Sequence, residues 1–361
     1  MDDKKYWIGF SLVKGVGSVR LRKLAEYFGD LELAWNATLP DLIAAGATKK
    51  VIENLITIKK TIDLDTFIDG LGKKQINYLF SDCTNYPKNL SEIEQHPPVL
   101  YFKGTLLESD LLSIGIVGTR KITYYGKQVT DELSTRLAQH GVTVVSGLAR
   151  GVDAVAHQAA VRAKGRTIAV LGSGVDVIYP PEHKTLAKQI EENGAILSDY
   201  PPGTQPDRIN FPPRNRIISG LSRGVVVVEA GEKSGALITA DFAADQGREV
   251  FAVPGPIYSP QSVGPNALLS NGANIYTGVA DIFDFLKVNQ QSEPQKRIHH
   301  FDGLELALME QIGNAPVHID DICANSGIPV DKAMAYLTIL ELNGHINQVG
   351  VMNYVLNKTL G

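Results

Sequence analysis

Val142-Thr-Val-Val-Ser-Gly-Leu-Ala-Arg-Gly-Val-Asp-Ala-Val-Ala-His157, continued by Thr167-Ile-Ala-Val-Leu-Gly-Ser-Gly174, decides the fold of this chain. Val142–Val145 is a short apolar run rich in β-branched residues, the pattern of a strand buried on both faces. Val152–Ala163 follows as a helical pattern, and Thr167–Leu171 is apolar again. Strand, helix and strand in close succession make a βαβ unit with parallel strands. Outward from it, similar runs lie at Ser113–Val117, Ala195–Ser198, Val225–Glu229 and Glu249–Val253. Helical patterns at Tyr125–Gln139, Lys184–Glu192 and Ala236–Gln246 separate most of them. The alternation predicts a doubly wound parallel sheet. Gln75–Phe80 and Val99–Phe102 are expected to add edge strands.

The residues after each strand locate a site. They are Gly118-Thr119-Arg120 with Lys121, Ser146-Gly147 with Arg150, Gly172-Ser173-Gly174, Pro201-Pro202-Gly203, Ser234-Gly235 and Pro254-Gly255-Pro256. Ligands of open α/β sheets bind in the crevice at the carboxyl ends of the strands. Small residues there let backbone N–H groups and helix N-termini approach phosphate. One such loop is an ordinary tight turn. Several, with Arg120 and Arg150 on the same edge and Lys184 opening the next helix, read as an anion site.

Phe211-Pro-Pro-Arg-Asn-Arg-Ile-Ile-Ser-Gly-Leu-Ser222 narrows the ligand. Arg208, Phe211, Arg214, Asn215 and Arg216 cluster in a proline-rich loop and the start of a helix. Guanidinium forks bind phosphate oxygens, and an aromatic ring stacks on an unpaired base. The combination points to single-stranded nucleic acid. The plainer alternative makes Phe211 a core anchor and pairs one arginine with Glu229 or Asp199. Arg214 and Arg216 cannot both face one phosphate from a helix, which leaves Arg208 with Phe211 as the stronger contact pair.

Other chemistries fit less well. The third glycine of a dinucleotide fingerprint is absent after Gly172-Ser173-Gly174, and Ile178-Tyr179-Pro180-Pro181 separates that turn from the next helix. No G-x-x-x-x-G-K-[ST] loop occurs. Ala230-Gly-Glu-Lys-Ser-Gly-Ala236 does not reproduce the P-G-G-x-G-T-x-x-E motif of phosphoribohydrolases, which are the runner-up on a related scaffold. A nucleotide-sensing scaffold is a third reading. Asp153 and His157 are spaced i, i+4 and can touch, as an acid-base pair or as a structural contact. Glu229 ends a buried strand and could be a catalytic carboxylate or a loop anchor. No nucleophile is marked beside any of them, so no enzyme activity, cofactor or metal is expected.

The chain has 361 residues, a hydrophobic content of 44%, a charged content of 20% and a net charge of −4. That suits two or three soluble domains, with any nucleic-acid site a local patch. Cys83 and Cys323 form no metal-like spacing and read as reduced thiols of a cytoplasmic protein. No signal peptide or membrane span is evident. The expected division is a helical domain over 1–72, the α/β domain over 73–287, a polar linker over 288–300 and a small domain over 301–361.

Within 1–72, Leu12-Val-Lys-Gly-Val-Gly-Ser-Val-Arg-Leu21 has the form of a helix-hairpin-helix turn, with Lys14, Arg20 and Arg22 as possible DNA contacts. The tail reads as a winged helix, with helices over Leu304–Ile312, Ile319–Ser326 and Val330–Asn343 and wing strands over Ile346–Val349 and Tyr354–Asn357. Its third helix has one lysine and no arginine, so it reads as a protein-contact module more than a DNA reader.

At these motifs the chain resembles the DNA-processing protein A family (DprA, also called Smf). The resemblance runs through Val117–Arg120, Ser146–His157, Gly165–His183, Phe211–Ser222, Ser234–Ala240 and Gly247–Gly255, in order and in register. It implies an extended Rossmann-like domain flanked by an N-terminal SAM-like helical domain and a C-terminal winged helix. It also implies a single-stranded DNA-binding protein that forms a homodimer through the Rossmann domain. Members protect incoming DNA during natural transformation and load the RecA recombinase onto it. By motif, Arg120 is the implied phosphate contact, and Arg208 with Phe211 the basic-x-x-Phe pair. Arg208 stands where lysine is usual, and Asp199 where glutamate is usual.

Overall fold

The computed structural model describes residues 4–288, 302–313 and 315–356. The linker read over 288–300 lies outside them except for Val288, as does Asn357 of the second wing strand. The chain divides into two compact units, Met1–Val288 and Asn289–Gly361.

The sheet of the first unit comprises β1 (Asn77–Phe80), β2 (Val99–Gly104), β3 (Ser113–Val117), β4 (Thr143–Ser146), β5 (Thr167–Val170), β6 (Ala195–Ser198), β7 (Gly224–Val227), β8 (Glu249–Ala252) and β9 (Asn274–Ile275). Its helices begin with α1 (Lys5–Ser11), α2 (Ser18–Phe28), α3 (Leu31–Asn36), α4 (Leu39–Ala44), α5 (Lys49–Thr61) and α6 (Leu64–Lys73). They continue with α7 (Lys88–Ser91), α8 (Tyr124–Gln139), α9 (Val152–Arg162), α10 (Lys184–Asn193), α11 (Phe211–Leu221), α12 (Gly235–Asp245), α13 (Val263–Ser270) and α14 (Val279–Leu286).

The strand order is β1-β2-β6-β5-β4-β3-β7-β8-β9. β2 is antiparallel to β1 and β6. The remaining neighbours are parallel. The chain steps from β3 through β4 and β5 to β6, then returns to lay β7 on the other side of β3. That reversal opens a crevice at the carboxyl ends of β3 and β7. Helix α11 makes the return, so Phe211 at its start arrives beside the crevice.

Alternation explains why the strands read as continuous apolar runs. Ile114, Ile116, Val144 and Val226 face one layer, with Leu133, Leu137 and Ala156 of α8 and α9. Val117, Val145, Val225 and Val227 face the other, with Ile217, Ile218, Ala236 and Ala240 of α11 and α12. Both strand faces are covered, so both must be apolar.

Helices α1 to α6 share a core around Phe10, Leu24, Leu31, Trp35 and Leu55. Phe10 meets Trp35 edge to face at 5.2 Å. α1 also reaches the sheet: Ile8 packs in one cluster with Tyr101 of β2, and the Ser11 and Tyr101 hydroxyls lie 2.7 Å apart.

The second unit is a winged helix. It holds α15 (Gly303–Met309), β10 (Val317–His318), α16 (Ile319–Ser326), α17 (Val330–Leu342), β11 (Ile346–Gln348) and β12 (Asn353–Leu356). Its sheet order is β10-β12-β11, over a core including Leu308, Ile312, Ile322, Leu337 and Leu340. The first helix ends at Met309, short of the expected Ile312, although Ile312 is still buried.

Candidate nucleic-acid interface

The topological crevice is a cleft of about 530 Å3. Its walls come from the loop after β3, the start of α11 and the start of α12. Of the residues singled out in the sequence, Gly118, Arg120, Arg208, Phe211, Arg214, Asn215, Ser234 and Gly235 line it. Gly147 and Arg150 line an adjoining recess shared with Arg120, Phe211 and Arg214.

The rim carries the exposed charge. Arg120 and Arg208 are both exposed. Arg120 places its guanidinium carbon 5.8 Å from the centre of the Phe211 ring, over its face. Arg208 sits one helical turn before Phe211, in a 3-10 turn whose Asp207 carboxylate accepts from the Ile209 N–H at 3.2 Å. Across the cleft, Ser234 caps α12 by accepting from the Ala236 N–H at 3.3 Å. The first turn of an eleven-residue helix therefore borders the same space. Asn215 ties the two walls together by donating to the Gly235 carbonyl at 3.1 Å.

Phe211 is half-buried rather than sunk in the core. Its ring lies 5.8 Å from that of Tyr179, tilted by 41°. Tyr179 is 37% exposed and lines both cleft and recess. In the sequence Tyr179 stands only in the break after Gly172-Ser173-Gly174. The aromatic type and its exposure were the available signal, but only the fold brings it to Phe211. The close fit also accounts for Gly172, where a Cβ would meet the Phe211 ring at 2.9 Å.

Several expected contacts have other positions. Arg214 is 4% exposed and was read as a phosphate ligand. Instead its Nη1 donates to the Gly147 carbonyl at 2.8 Å and to the Val170 carbonyl. A Cβ on Gly147 would lie 2.5 Å from that nitrogen, so the approach requires glycine. Burial pushes the Arg214 guanidinium down to about 10, against the opposing pull of Asp153, and it stays charged at neutral pH. Arg216, 5% exposed, points away from the cleft and pairs with Asp199 at 2.8 Å, as the plainer reading of one arginine allowed. Two residues apart on a helix, the two arginines diverge.

Ser173 is buried, and its hydroxyl donates to the Val177 carbonyl at 2.7 Å. The Gly174 N–H donates to the Thr204 carbonyl at 2.9 Å. This loop braces residues 201–204 and does not line the cleft. Ser146 is also buried, donating to the Ile116 carbonyl at 2.6 Å. Thr119 accepts from the Lys121 N–H at 3.1 Å. Lys121 and Lys184 are exposed outside the cleft lining. Arg150 pairs with Glu182 at 2.6 Å.

The titratable groups behind the cleft hold structure. Asp153 accepts from the Gly147 and Ala149 N–H groups at 3.1 and 3.3 Å. Burial raises its carboxyl above the usual range, and Arg214 with those N–H bonds opposes the rise. Asp153 does not bond His157. His157 Nδ1 lies 2.7 Å from the Thr167 hydroxyl, which itself donates to the Val144 carbonyl. Nδ1 is then the donor, and Nε2 is buried without a partner. Burial pushes His157 down to about 3. Glu229 accepts from the Thr123 N–H at 2.9 Å, fixing the start of α8. Among the described residues no group of His, Cys, Asp and Glu could hold a metal ion.

The hairpin turn over 12–17 spends part of its charge within the fold. Arg20 folds back on the Gly15 carbonyl, and Arg22 donates to the Glu94 and His96 carbonyls. Ser18, at the start of α2, has its hydroxyl 3.5 Å from Arg216. Of the three possible DNA contacts, Arg20 and Arg22 are engaged by backbone oxygens, and Lys14 is exposed. Among the described residues no helix is long and apolar enough to cross a membrane.

Comparison with known proteins completes the description. The family profile of DNA recombination-mediator protein A matches residues 77–287, and that of the DprA winged helix domain matches 291–350. Protein Smf of Escherichia coli is 39% identical over 348 residues, covering 92% of this chain and 93% of that protein. The X-ray structure of DprA from Streptococcus pneumoniae superposes with a TM-score of 0.66 at 35% identity, over 78% of this chain and 97% of that one. A Helicobacter pylori DprA structure, described for its single-stranded DNA binding mode, gives a TM-score of 0.53 at 32% identity, over 59% and 96%.

Proposed function

We propose that this chain, which belongs to the DNA recombination-mediator protein A family, binds single-stranded DNA in the cleft between the carboxyl ends of β3 and β7. One observation carries the reading: exposed Arg120 and Arg208 line the same cleft as the half-exposed Phe211–Tyr179 pair, with Arg120 over the Phe211 ring. Cations beside a paired aromatic wall suit a phosphodiester strand with an unstacked base. A duplex keeps its bases stacked and offers no ring to that wall. The described mode of the Helicobacter pylori relative supports the same ligand.

On this reading the protein protects incoming single strands in the cytoplasm and loads the RecA recombinase onto them. It acts by binding, not by bond chemistry, because Asp153, His157 and Glu229 all serve the fold around the cleft. It works as a homodimer through the Rossmann domain. Edge strand β9 leaves Ile275 53% exposed, and the loop after neighbouring β8 leaves Ile257 and Tyr258 77% and 92% exposed. An apolar sheet edge of this kind favours a partner surface.

A gel-shift series with single- and double-stranded oligonucleotides from 50 to 300 mM salt tests the reading. It expects preference for single strands and a steep fall of affinity with salt. Equal affinity for duplex, or no binding, overturns it. Sedimentation of wild type and Ile275→Asp tests the dimer, with dissociation expected for the variant.

A further inference from the structure

Arg214 is an unusual cation. It is 4% exposed and lines the cleft, and its guanidinium donates to the Gly147 and Val170 carbonyls with the Asp153 charge nearby. Its Nε has no hydrogen-bond partner. An unsatisfied donor on a buried charge is costly, so an acceptor brought to this guanidinium would be favourable. Arg214 lines both the cleft and the side recess, beside Phe211 and Tyr179. That recess holds about 20 Å3. The space takes about one water-sized group. A phosphate, with its tetrahedron of oxygens, does not fit, whereas one carbonyl oxygen does. A base stacked on the aromatic wall would bring its edge, not its phosphate, to this depth.

We propose that Arg214 reads a carbonyl oxygen on the edge of the unstacked base, so that the site favours thymine, cytosine or guanine over adenine, which has no carbonyl. The inference rests on the single-stranded DNA reading above and assigns Arg214 to base selection. Arg120 and Arg208 then hold the backbone.

The test uses the full chain and a strand of abasic residues carrying one central guest. The guest is thymine or its shape-matched analogue difluorotoluene, which replaces both carbonyl oxygens with fluorine. Wild type should bind the thymine strand roughly tenfold tighter, as expected for a hydrogen bond to a charged donor. Arg214→Met should close that gap without changing the salt dependence. Equal binding of the two guests by wild type overturns the proposal and needs no variant. So does an Arg214→Met protein whose salt slope falls by about 0.7, the mark of a lost phosphate contact on a single strand. If a thymine homopolymer is not bound at all, the single-stranded DNA reading itself fails, an outcome distinct from equal binding of the two guests.

Discussion

The cleft of the first unit and the third helix of the winged helix are two places where such folds meet nucleic acid, and they are charged in opposite ways. The cleft rim exposes Arg120 and Arg208 beside two aromatic rings. Helix α17 carries one cation, Lys332, between Asp331 and the later Glu341. Around it the described winged helix adds Asp302, Glu305, Glu310, Asp320 and Asp321 and no further lysine or arginine. Beside exposed Asp331 and Glu341, α17 also exposes apolar side chains, with Val330 46%, Met334 41%, Ile339 44% and Leu342 83% exposed. A polyanion needs cations to release its counterions. The difference teaches that a fold offers a position, and side-chain chemistry decides its ligand.

The largest effect should come from removing both rim cations. Arg120→Ala combined with Arg208→Ala should weaken single-strand binding on the order of 100-fold, from two charge-assisted contacts. The slope of log affinity against log salt should flatten by about 1.4. Fluorescence anisotropy across a salt series reads both, and a double variant that binds like wild type breaks the contrast between the two regions. Phe211→Ala should cost roughly tenfold, the worth of one stacked base. Its salt slope should stay unchanged, because no charge is removed.

These two experiments separate what the sequence disclosed from what it did not. The sheet was legible because short β-branched runs alternate with helical patterns, and Gly118, Arg120, Arg208 and Phe211 were legible as a chemical type. Two things were not. Arg214 and Arg216 look alike in sequence, but helix geometry turns one under the cleft and the other toward Asp199. Likewise Arg20 and Arg22 read as DNA contacts until the fold brings backbone carbonyls within their reach. Charge is visible in a sequence, but the partner that occupies it is set by contacts distant along the chain.

A smaller effect on binding, with a separate signature in stability, is expected from pH. Guanidinium groups as a class keep their charge over this range, so affinity should barely change between pH 8 and 6. Stability should change below that. Folded His157 ionises near 3, against an ordinary value of 6.5. Between those values the unfolded chain binds the extra proton, so stability falls as pH falls, by up to about 1.4 kcal/mol per unit. Thermal melts at pH 7 and 5 should show the loss, and His157→Gln should lessen it. If affinity fell together with stability in the wild type above pH 6, cations other than arginine would have to hold the strand.

The smallest effect should belong to Lys332→Ala. Lys332 is the one cation on the helix that a DNA-reading winged helix would insert into the major groove, so its loss should be severe if α17 reads DNA. Here the carboxylates beside it already oppose a phosphate backbone, and Val330 and Met334 nearby expose apolar surface. Affinity for single strands and duplex should both stay within about twofold of wild type, with an unchanged salt slope. A slope reduced by about 0.9 on duplex DNA would place this helix on a phosphate after all and remove the contrast with the cleft. An unchanged slope leaves the apolar face of α17 to contacts of another chemistry, and confines DNA binding to the part of the molecule where arginine and aromatic rings occur together.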